Sequence, residues 1–536
     1  MSPTQPLKSP LEVLRLYRAH NGSLFDIFES RASNNPDRPF IWWDNSTISW
    51  RHAREKVLRL SAAFAFRGVV KGSRVSIMAR NSPEHVMLLL ALARIGAVMV
   101  PINPDFGVEE TRYLMELADV SAVICSDETL PVARQACSKL NAWFATLGSP
   151  LDDVPSLEQL ASSAVLDGAP PAGDAKDACI IIFTSGSTGF PKAVVHSQSN
   201  FVTAGEGFVS RLHLQDWDRL LVILPMYHIN ATFYSLSGAI AAGASLALTP
   251  KFSASGFWDL AVQSQATQVN FIEAIGSILK ARPHEEFRTE HRIRAIYGVR
   301  PQFVEFFQNE FHVPVNVGGY GMSEIPGVTS TPLDRPNKPG AMGVLCSHPD
   351  PDIAWAICRI VDEKGRDLPD GENGELWVKT PIVMQSYFND PVQTRDSFED
   401  GWFKTGDLVR RDSEGFFYFV SRKKDIIRRR GENISAAEID RIVQEHPGVY
   451  QVGTIAVPAE LGEDEILCAV VRMEGSDVKA SEIAQWCAER LAKMKVPRYI
   501  VFLPELPYTP TMKIAKAVLR QDSSLKERAV DLLKQS

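Results

Sequence analysis

Residues 180–196 read IIIFTSGSTGFPKAVVH, and this stretch decides how the fold is interpreted. Apolar and β-branched residues lead into a loop of hydroxyls and glycines, and a second β-branched run follows the lysine, which predicts two strands joined by a loop. Glycines allow backbone N–H groups to turn toward an anion, while Ser, Thr and Lys add donors and positive charge. The loop is therefore interpreted as a polyphosphate cradle, although it is not a GxxxxGK[ST] P-loop. The alternative, a flexible Gly/Ser linker, does not explain the β-branched runs on both sides.

Length and composition indicate a multidomain globular protein. At 536 residues the chain exceeds what one hydrophobic core usually organises, and 45% hydrophobic residues are ample for two or more cores. The formal net charge of -7 argues against a general nucleic-acid binder, and we expect no nucleic-acid partner. That charge leaves room for a local basic patch at an anionic cofactor.

The cysteines and the apolar runs indicate a protein of a reducing compartment without a membrane span. The seven cysteines are odd in number and include no CxxC pair, which favours reduced thiols over a disulfide framework or structural zinc. The first residues contain no cationic segment followed by an apolar core, and the longest apolar stretch, 86–102, is interrupted by Arg94 and Gly96. We therefore expect a cytoplasmic protein with neither a signal peptide nor a membrane span.

The pattern along the chain predicts an α/β fold in two domains. A helical run at 84–95 is followed by a strand at 97–100, and residues 219–224 and 268–272 have the composition of strands buried on both faces. Short strands with Gly or Asp turns between about 350 and 420 predict a small antiparallel β unit. After Lys424 a compact α/β pattern begins again, with a capping box at 435–438. The domains are predicted at 1–423 and 424–536.

Further short motifs follow the glycine-rich loop in a fixed order. After TSGSTGFPK (184–192) they are PMYH (225–228), YGMSE (320–324), GWFKTGD (401–407), SRKKD (421–425), RGENIS (430–435) and PTMKI (510–514). Together they resemble the motifs of adenylate-forming enzymes, the family of acyl-CoA synthetases, peptide-synthetase adenylation domains and firefly-type luciferases. The resemblance implies a large multi-subdomain N-terminal α/β domain with a small antiparallel β unit, and a small mobile C-terminal α+β lid that turns on a hinge near Lys424.

The family reaction joins a carboxylate to the α-phosphorus of ATP, so cations and hydrogen-bond donors must converge on mutually repelling anions. The resemblance assigns the pyrophosphate to the loop, adenine stacking to Tyr320, the ribose hydroxyls to Asp407 with Arg422, and Mg²⁺ to Glu324. A single carboxylate is chemically sufficient, because Mg²⁺ takes its other ligands from phosphate and water. The ATP or AMP site that the resemblance implies comprises Thr184, Ser185, Gly186, Ser187, Thr188, Gly189, Lys192, Gly298, Tyr320, Gly321, Ser323, Asp407 and Arg422.

The lid carries the remaining functions that the resemblance implies. Lys513 matches the lysine that bridges the incoming carboxylate and the α-phosphate, so it is the expected catalytic residue. The family usually has glycine before this lysine, whereas this chain has Met512. Coenzyme A, the expected acyl acceptor and co-substrate, is assigned to Arg430 and Gly431, where the glycine lets the pantetheine arm pass close to the backbone.

The acid pocket is expected from residues 229–236, 271–277 and 297–301, with His228 beside it. Its predicted lining is His228, Asn230, Phe233, Glu273 and Arg300. The runs at 414–420 and 430–435 are most similar to the carnitine/crotonobetaine-CoA ligase branch of acyl-CoA synthetases. A short acid that is polar or carries a second charge is therefore expected as the substrate.

Three other interpretations of the motifs stay open. An adenylation enzyme that loads a carrier protein is one, but no aspartate follows His228 where amino-acid activators commonly place one, and no carrier domain is fused. A luciferase-like oxygenase is the second, since ligases and luciferases share these motifs. A nucleotide-binding paralogue without turnover is the third. The resemblance also implies a homodimer.

Overall fold

The computed structural model describes residues 6–151, 153–164, 173–184, 191–299, 301–429, 432–459, 464–508 and 514–534. These residues form two compact units, which are described separately. The first contains the described residues of 1–184, 192–357 and 379–401, and the second contains those of 185–191, 358–378 and 402–536.

Most of the α-helices belong to the first unit. In chain order they are α1 Pro10–Leu14, α2 Leu24–Asn34, α3 Trp50–Phe66, α4 Pro83–Arg94, α5 Val108–Leu117, α6 Leu130–Ala136, α7 Leu157–Ser162, α8 Gln198–Leu212, α9 Ser237–Ala242, α10 Phe257–Ser264, α11 Glu273–Ala281, α12 Pro301–Asn309, α13 Pro391–Asp396, α14 Ala436–Gln444, α15 Ala480–Ala488, α16 Lys516–Gln521 and α17 Ser524–Arg528. A π-helical turn covers Asn230–Leu236, and 3₁₀ turns cover His284–Glu286, Lys423–Asp425 and Lys493–Lys495.

Strands are interspersed with these helices along the chain. The first sixteen are β1 Pro39–Trp43, β2 Ser46–Ser49, β3 Arg74–Met78, β4 Val98–Ile102, β5 Ala122–Cys125, β6 Trp143–Thr146, β7 Ala178–Thr184, β8 Lys192–Ser197, β9 Arg219–Val222, β10 Ser245–Leu248, β11 Gln268–Asn270, β12 Ala295–Tyr297, β13 Val315–Val317, β14 Gly319–Met322, β15 Ile325–Ser330 and β16 Val344–Leu345. The others are β17 Ile357–Val361, β18 Asn373–Lys379, β19 Ser386–Tyr387, β20 Phe398–Glu399, β21 Trp402–Arg411, β22 Phe417–Arg422, β23 Ile426–Arg429, β24 Glu432–Ser435, β25 Val449–Pro458, β26 Asp464–Arg472, β27 Tyr499–Phe502 and β28 Val530–Asp531.

The first unit contains two seven-stranded, mostly parallel sheets. Their strand orders are β13-β12-β11-β9-β10-β1-β2 and β19-β8-β7-β4-β3-β5-β6, and a smaller antiparallel sheet has the order β14-β15-β16. Helices pack against these sheets around an extensive apolar core, in which α4 is buried along nearly its whole length. Strands and helices that are apolar on all sides require such a layered arrangement, because each sheet face must be covered.

The second unit combines a small antiparallel sheet with a mixed sheet. β18 pairs antiparallel with β21, and β21 pairs antiparallel with β22, which confirms the antiparallel unit predicted before residue 420. The mixed sheet has the strand order β25-β26-β27-β28. Two helices, α14 and α15, pack on it through Ile439 and Ile483.

The capping box predicted at 435–438 is half formed. The Ser435 hydroxyl caps α14 by accepting the Glu438 N–H over 3.2 Å. The Glu438 carboxylate turns instead to the Lys495 ammonium, whose Nζ lies 2.7 Å from Oε2. A full positive charge outcompetes a backbone N–H for this carboxylate.

None of the seven cysteines, all within the described ranges, forms a disulfide, and six of them are buried. In the described part of the chain, no helix has the length and apolar character needed to cross a membrane.

Candidate functional site

The parallel strands β9, β11, β12 and β13 end side by side at one edge of their sheet. Register pairs Asn270 with Tyr297 and Tyr297 with Val317, and β9 pairs in parallel with β11. In open α/β sheets, ligands bind outside the carboxyl ends of the strands. The segments that leave this edge include the three predicted for the acid pocket and the one that leads to Tyr320, so the fold brings these predicted regions together.

Glycine is required where β12 ends, because two backbones approach closely there. Gly298 has a φ of +89°, and a Cβ at this position would lie 2.2 Å from the carbonyl oxygen of Phe271. The Gly298 N–H donates to the carbonyl of Val317 over 2.7 Å. The positive φ and the lack of space exclude any side chain at this position. Gly298, which is predicted to contact the nucleotide, therefore also allows the close approach of the segments that follow β11 and β12.

A tight hairpin carries the predicted adenine and metal residues. β14 and β15 pair antiparallel, with Tyr320 opposite Thr329 and Met322 opposite Ile325, so Ser323 and Glu324 form the turn. A Cβ on Gly321 would lie 2.4 Å from the backbone nitrogen of Gly327 on the facing strand. The small residues of this motif therefore serve close strand packing.

Glu324 is buried, with 5% of its surface exposed, and it is held by a tyrosine that the sequence did not point to. The Tyr387 hydroxyl donates to Oε1 of Glu324 over 2.7 Å. Oε2 accepts no hydrogen bond from the described part of the chain. A fixed carboxylate with one oxygen available suits Mg²⁺, which prefers few protein carboxylates, so these residues fit the metal that the resemblance implies.

Lys192 lies beside this pair. Its ammonium is 4.8 Å from the centre of the Tyr387 ring, and β19 brings the ring there because Tyr387 pairs with Val194 on β8. Burial lowers the pKa of Lys192, while the carboxylates of Glu324 and Asp390 oppose that shift. Burial, and then the Glu324 charge, raise the pKa of Tyr387, so this hydroxyl keeps its proton and donates.

The other end of β8 supports the same turn. The Nε2 of buried His196 lies 2.7 Å from the carbonyl oxygen of Ser323, immediately before Glu324. Burial lowers the pKa of His196 to about 4, so the ring is neutral at physiological pH. A neutral ring with a proton on Nε2 donates to this carbonyl, which fixes the backbone that carries the carboxylate.

The described members of the predicted acid pocket differ in their exposure. Asn230 begins the π-helical turn and is half-buried, as is His228, whose ring centre is 4.5 Å from that of Tyr227. Glu273 is exposed at the start of α11. Phe233 is fully buried, and its ring centre lies 4.6 Å from that of His196. Phe233 therefore belongs to the core behind the site.

Asp407 and Arg422 form an ion pair in the second unit. They are opposite each other on β21 and β22, and the Arg422 Nε lies 2.7 Å from the Asp407 Oδ1. The Asp407 side chain is buried and the Arg422 side chain is half-buried. This ion pair holds the guanidinium charge against one oxygen of the carboxylate that the resemblance assigns to the ribose hydroxyls.

Lys424 is exposed in the 3₁₀ turn between β22 and β23, inside the second unit. Its neighbours are anchored. Lys423 lies 2.9 Å from the Glu375 carboxylate, and Arg520 pairs with Asp425. The hinge assignment stays a prediction, as do the domain bounds at 423 and 424.

Several predicted residues lie outside the described ranges. They are Ser185, Gly186, Ser187, Thr188, Gly189, Arg300, Arg430, Gly431 and Lys513, together with Met512. The described ends of the glycine-rich loop are Thr184 and Lys192, which are paired in register by β7 and β8. The strand–loop–strand prediction is therefore correct for both flanks.

Sequence reasoning missed Tyr387 and His196. His196 closes the quoted 180–196 stretch and could have been selected as a polar residue within a buried strand. Tyr387 belongs to a two-residue strand and gives no signal in the sequence.

Known proteins share both the sequence and the architecture of this chain. The sequence model of the AMP-binding enzyme family matches residues 28–388, and that of the AMP-binding enzyme C-terminal domain matches residues 438–513. A crotonobetaine/carnitine–CoA ligase of Shigella flexneri is 31% identical over 491 residues, which cover 88% of this chain and 93% of that protein.

Solved structures agree. ATP-bound MatB from Rhodopseudomonas palustris has a TM-score of 0.84 at 27% identity, covering 94% of this chain and 98% of that one. A fatty acyl CoA synthetase of Mycobacterium tuberculosis has a TM-score of 0.73 at 27% identity, with the same coverage of 94% and 98%.

Proposed function

Since the chain belongs to the AMP-binding enzyme family and is an AMP-forming acyl-CoA synthetase, we propose that it activates a short polar or charged acid. The acid reacts with ATP to give an acyl-adenylate and pyrophosphate, and the acyl group then passes to the thiol of CoA. The observation that carries the proposal is the fixed arrangement of Glu324, Tyr387 and Lys192 at the end of the glycine-rich loop.

We propose the following contacts to ATP, unit by unit. Thr184 and Lys192 hold the ends of the pyrophosphate loop, Tyr320 stacks on adenine, and Glu324 binds Mg²⁺, which would offset the negative charge of the phosphates. In the second unit, the paired Asp407 and Arg422 receive the ribose. Backbone groups of three further residues are proposed to contact the nucleotide, namely those of Gly298, Gly321 and Ser323.

The proposed catalytic residue is Lys513. A compact ammonium suits a bridge between two anions, because its charge neutralises the carboxylate and the α-phosphate together. Residues 424–536 are proposed as a lid with a hinge at Lys424, and Arg430 and Gly431 as the contacts to CoA. A homodimer and a cytoplasmic location stay predictions.

The proposed acid class has two supports. Crotonobetaine/carnitine–CoA ligases are the relatives at 31% identity, and the names of these ligases specify short acids that carry a charged group. In addition, the π-helical turn places the half-buried amide of Asn230 at the carboxyl edge of the sheet.

The test is pyrophosphate release from ATP and Mg²⁺ over short, dicarboxylic, sulfonated, betaine-type, aryl and fatty acids, each with and without CoA. We expect release with one short polar acid and thioester formation only when CoA is added. If palmitate far outperforms the short acids, the substrate class is wrong. If pyrophosphate is released but CoA accepts no acyl group, a carrier protein replaces CoA as the acceptor.

Lys513→Ala tests the proposed catalytic lysine, and the exposed Lys493 supplies a matched control as Lys493→Ala. We expect pyrophosphate release to fall at least about 100-fold in the first variant and to stay within about twofold in the second. Equal activities would contradict the assignment of Lys513.

A further inference from the structure

A row of three amide side chains leads from the core of the first unit to the carboxyl edge of the sheet. The Gln268 Nε2 donates to the Asn270 Oδ1. The Asn270 Nδ2 donates in turn to the Asn230 Oδ1 over 2.8 Å and to the Ser235 Oγ over 3.0 Å. Gln268 and Asn270 are buried on β11, whereas Asn230 is half-buried at the start of the π-helical turn. The row therefore joins a rigid strand to an irregular turn.

The direction of the row follows from its buried end. The Gln268 Oε1 is the buried atom of the row that has no hydrogen-bond partner in the described residues. If every amide were turned round, the buried group without a partner would be the Gln268 NH₂. Unpaired buried carbonyl oxygens are tolerated more often than unpaired buried N–H groups. The hydrogen bonds of the row therefore run from Gln268, as the first donor, through Asn270 to Asn230.

This direction decides what Asn230 presents to a ligand. Its Oδ1 is occupied by Asn270, so its NH₂ group points out of the row. No described residue accepts a hydrogen bond from that NH₂ group. Asn230 is half-buried, so this NH₂ group is accessible to a ligand, and π-helical turns are frequent at functional sites. The row thus holds one donor in a fixed orientation at the edge where the acid pocket is proposed.

We propose that Asn270 is a positioning residue for substrate specificity, and that the Asn230 NH₂ group donates to an oxygen on the acyl chain of the acid. The substrate then carries a carbonyl, hydroxyl or second carboxylate oxygen beyond the reacting carboxylate. This inference rests on the proposed function, which identifies the neighbourhood of Asn230 as the acid pocket.

The test compares acids that differ only in an acceptor oxygen. The pairs are pentanoate with 4-oxopentanoate and hexanoate with 5-oxohexanoate. We expect the protein to favour one keto acid over its alkyl partner about tenfold in kcat/KM, the usual order for one added hydrogen bond. The preference should lie in KM, because the Asn230 contact is made equally in the bound acid and in the transition state.

Two variants locate the preference. Asn270→Leu, which keeps the side-chain size but removes the amide, should reduce the ratio for the preferred pair to about one while changing kcat/KM for the alkyl acid less than about threefold. Asn230→Ala should give the same ratio and retains the core if Asn270→Leu folds poorly. Thr267→Val is the matched control, since it removes a 2.6 Å hydrogen bond to Asp218 just before β11 and leaves the amide row intact. It should preserve the ratio.

The inference is overturned if the protein shows no keto-acid preference, or if Asn270→Leu keeps the preference that Asn230→Ala loses. Titration of the same acids by saturation-transfer NMR needs no turnover and separates this inference from the proposed function. A keto-acid preference in binding that both variants lose, without pyrophosphate release for any acid, would support the amide row and refute the ligase proposal. If pyrophosphate is released but each keto acid binds no better than its alkyl partner, the ligase proposal is supported and the role of the amide row is refuted.

Discussion

The Tyr387 hydroxyl donates to the carboxylate of Glu324 over 2.7 Å, joining a two-residue strand to the turn of the β14–β15 hairpin. This hydrogen bond fixes the one carboxylate that the resemblance assigns to Mg²⁺. A hydrogen bond to a charged group contributes about 1.5–3 kcal/mol, so its loss should be measurable in activity.

Tyr387→Phe should raise the Mg²⁺ concentration for half-maximal pyrophosphate release and lower kcat/KM for ATP by about tenfold or more, because the carboxylate loses its anchor. The measurement is a Mg²⁺ titration at fixed ATP. Tyr450→Phe, at an exposed tyrosine of the second unit, is the control and should behave as the parent protein. An unchanged Mg²⁺ requirement in Tyr387→Phe would show that the hydroxyl does not tune a metal ligand.

Asp407→Asn should raise KM for ATP about tenfold or more, since the amide loses the paired charge and one acceptor oxygen for the ribose. ATP-dependent pyrophosphate exchange at saturating acid measures this change. Asp370→Asn removes the exposed ion pair with Arg411, 2.7 Å long, from the same unit. Exposed pairs contribute at most about 1 kcal/mol, so this control should leave KM unchanged. Equal effects would contradict the ribose assignment.

Gly298→Ala should destabilise the first unit by at least about 3 kcal/mol, because strain at positive φ is added to a clash. The expected Cβ lies 2.2 Å from the Phe271 oxygen. Gly340→Ala isolates the strain, since Gly340 has a φ of +73° with nothing within 4 Å of its Cβ. The control should cost about 1 kcal/mol. Denaturant unfolding measures both, and similar losses would show that the β12 end yields to the side chain.

At high pH, kcat/KM for ATP should begin to fall at a pH below the ordinary pKa of lysine, because burial lowers the pKa of Lys192. This kinetic ratio reports the ionisation of the unbound enzyme, and loss of the ammonium removes a partner of the phosphates. Lys192→Arg keeps its charge at every accessible pH and should move this fall to higher pH. A pH profile that is the same in both proteins would exclude Lys192 as the titrating group.

Stability should fall as the pH drops from about 6.5 toward 4, the interval between the unfolded and folded pKa of His196. The folded pKa is the lower of the two, so the unfolded chain binds more protons in this interval. The contribution of His196 to the free energy of unfolding is fully present above the unfolded pKa. It is lost as the pH falls toward the folded pKa, and the loss is up to about 3 kcal/mol.

His196→Gln keeps a donor for the Ser323 carbonyl and removes the titration, so its stability should depend less steeply on pH. His284→Gln, at a largely exposed side chain, is the control and should follow the parent protein. Urea unfolding at a series of pH values measures the slopes. Parallel slopes for all three proteins would assign the acid sensitivity to other groups, including the buried His85, whose pKa burial lowers to about 3.

Local pattern predicted most of the scaffold. The helix expected at 84–95 is α4, Pro83–Arg94, and the strand expected at 219–224 is β9, Arg219–Val222. These segments are largely apolar, so their different lengths and the turn residues at their ends distinguish the helix from the strand. The α/β fold class is confirmed with them.

The partners of the site residues were harder to predict. Glu324 was identifiable by its motif, but its partner Tyr387 lies 63 residues further along the chain. The amide row likewise joins Asn230 to Asn270 across 40 residues. The π-helical turn arises from such tertiary contacts, because local propensity favours the α-helix. Long-range pairing of polar side chains leaves no periodic signal in a single sequence.

The short strand β19 also bears on the time course of folding. Tyr387 reaches Glu324 only when Ser386 and Tyr387 pair with the edge strand β8, a contact between distant parts of the chain. Distant contacts form late, because loop-closure entropy opposes them until the rest of the sheet exists. During refolding, helical signal should therefore return before activity does, because the pairing of β19 with β8 is one of the distant contacts that the proposed site requires.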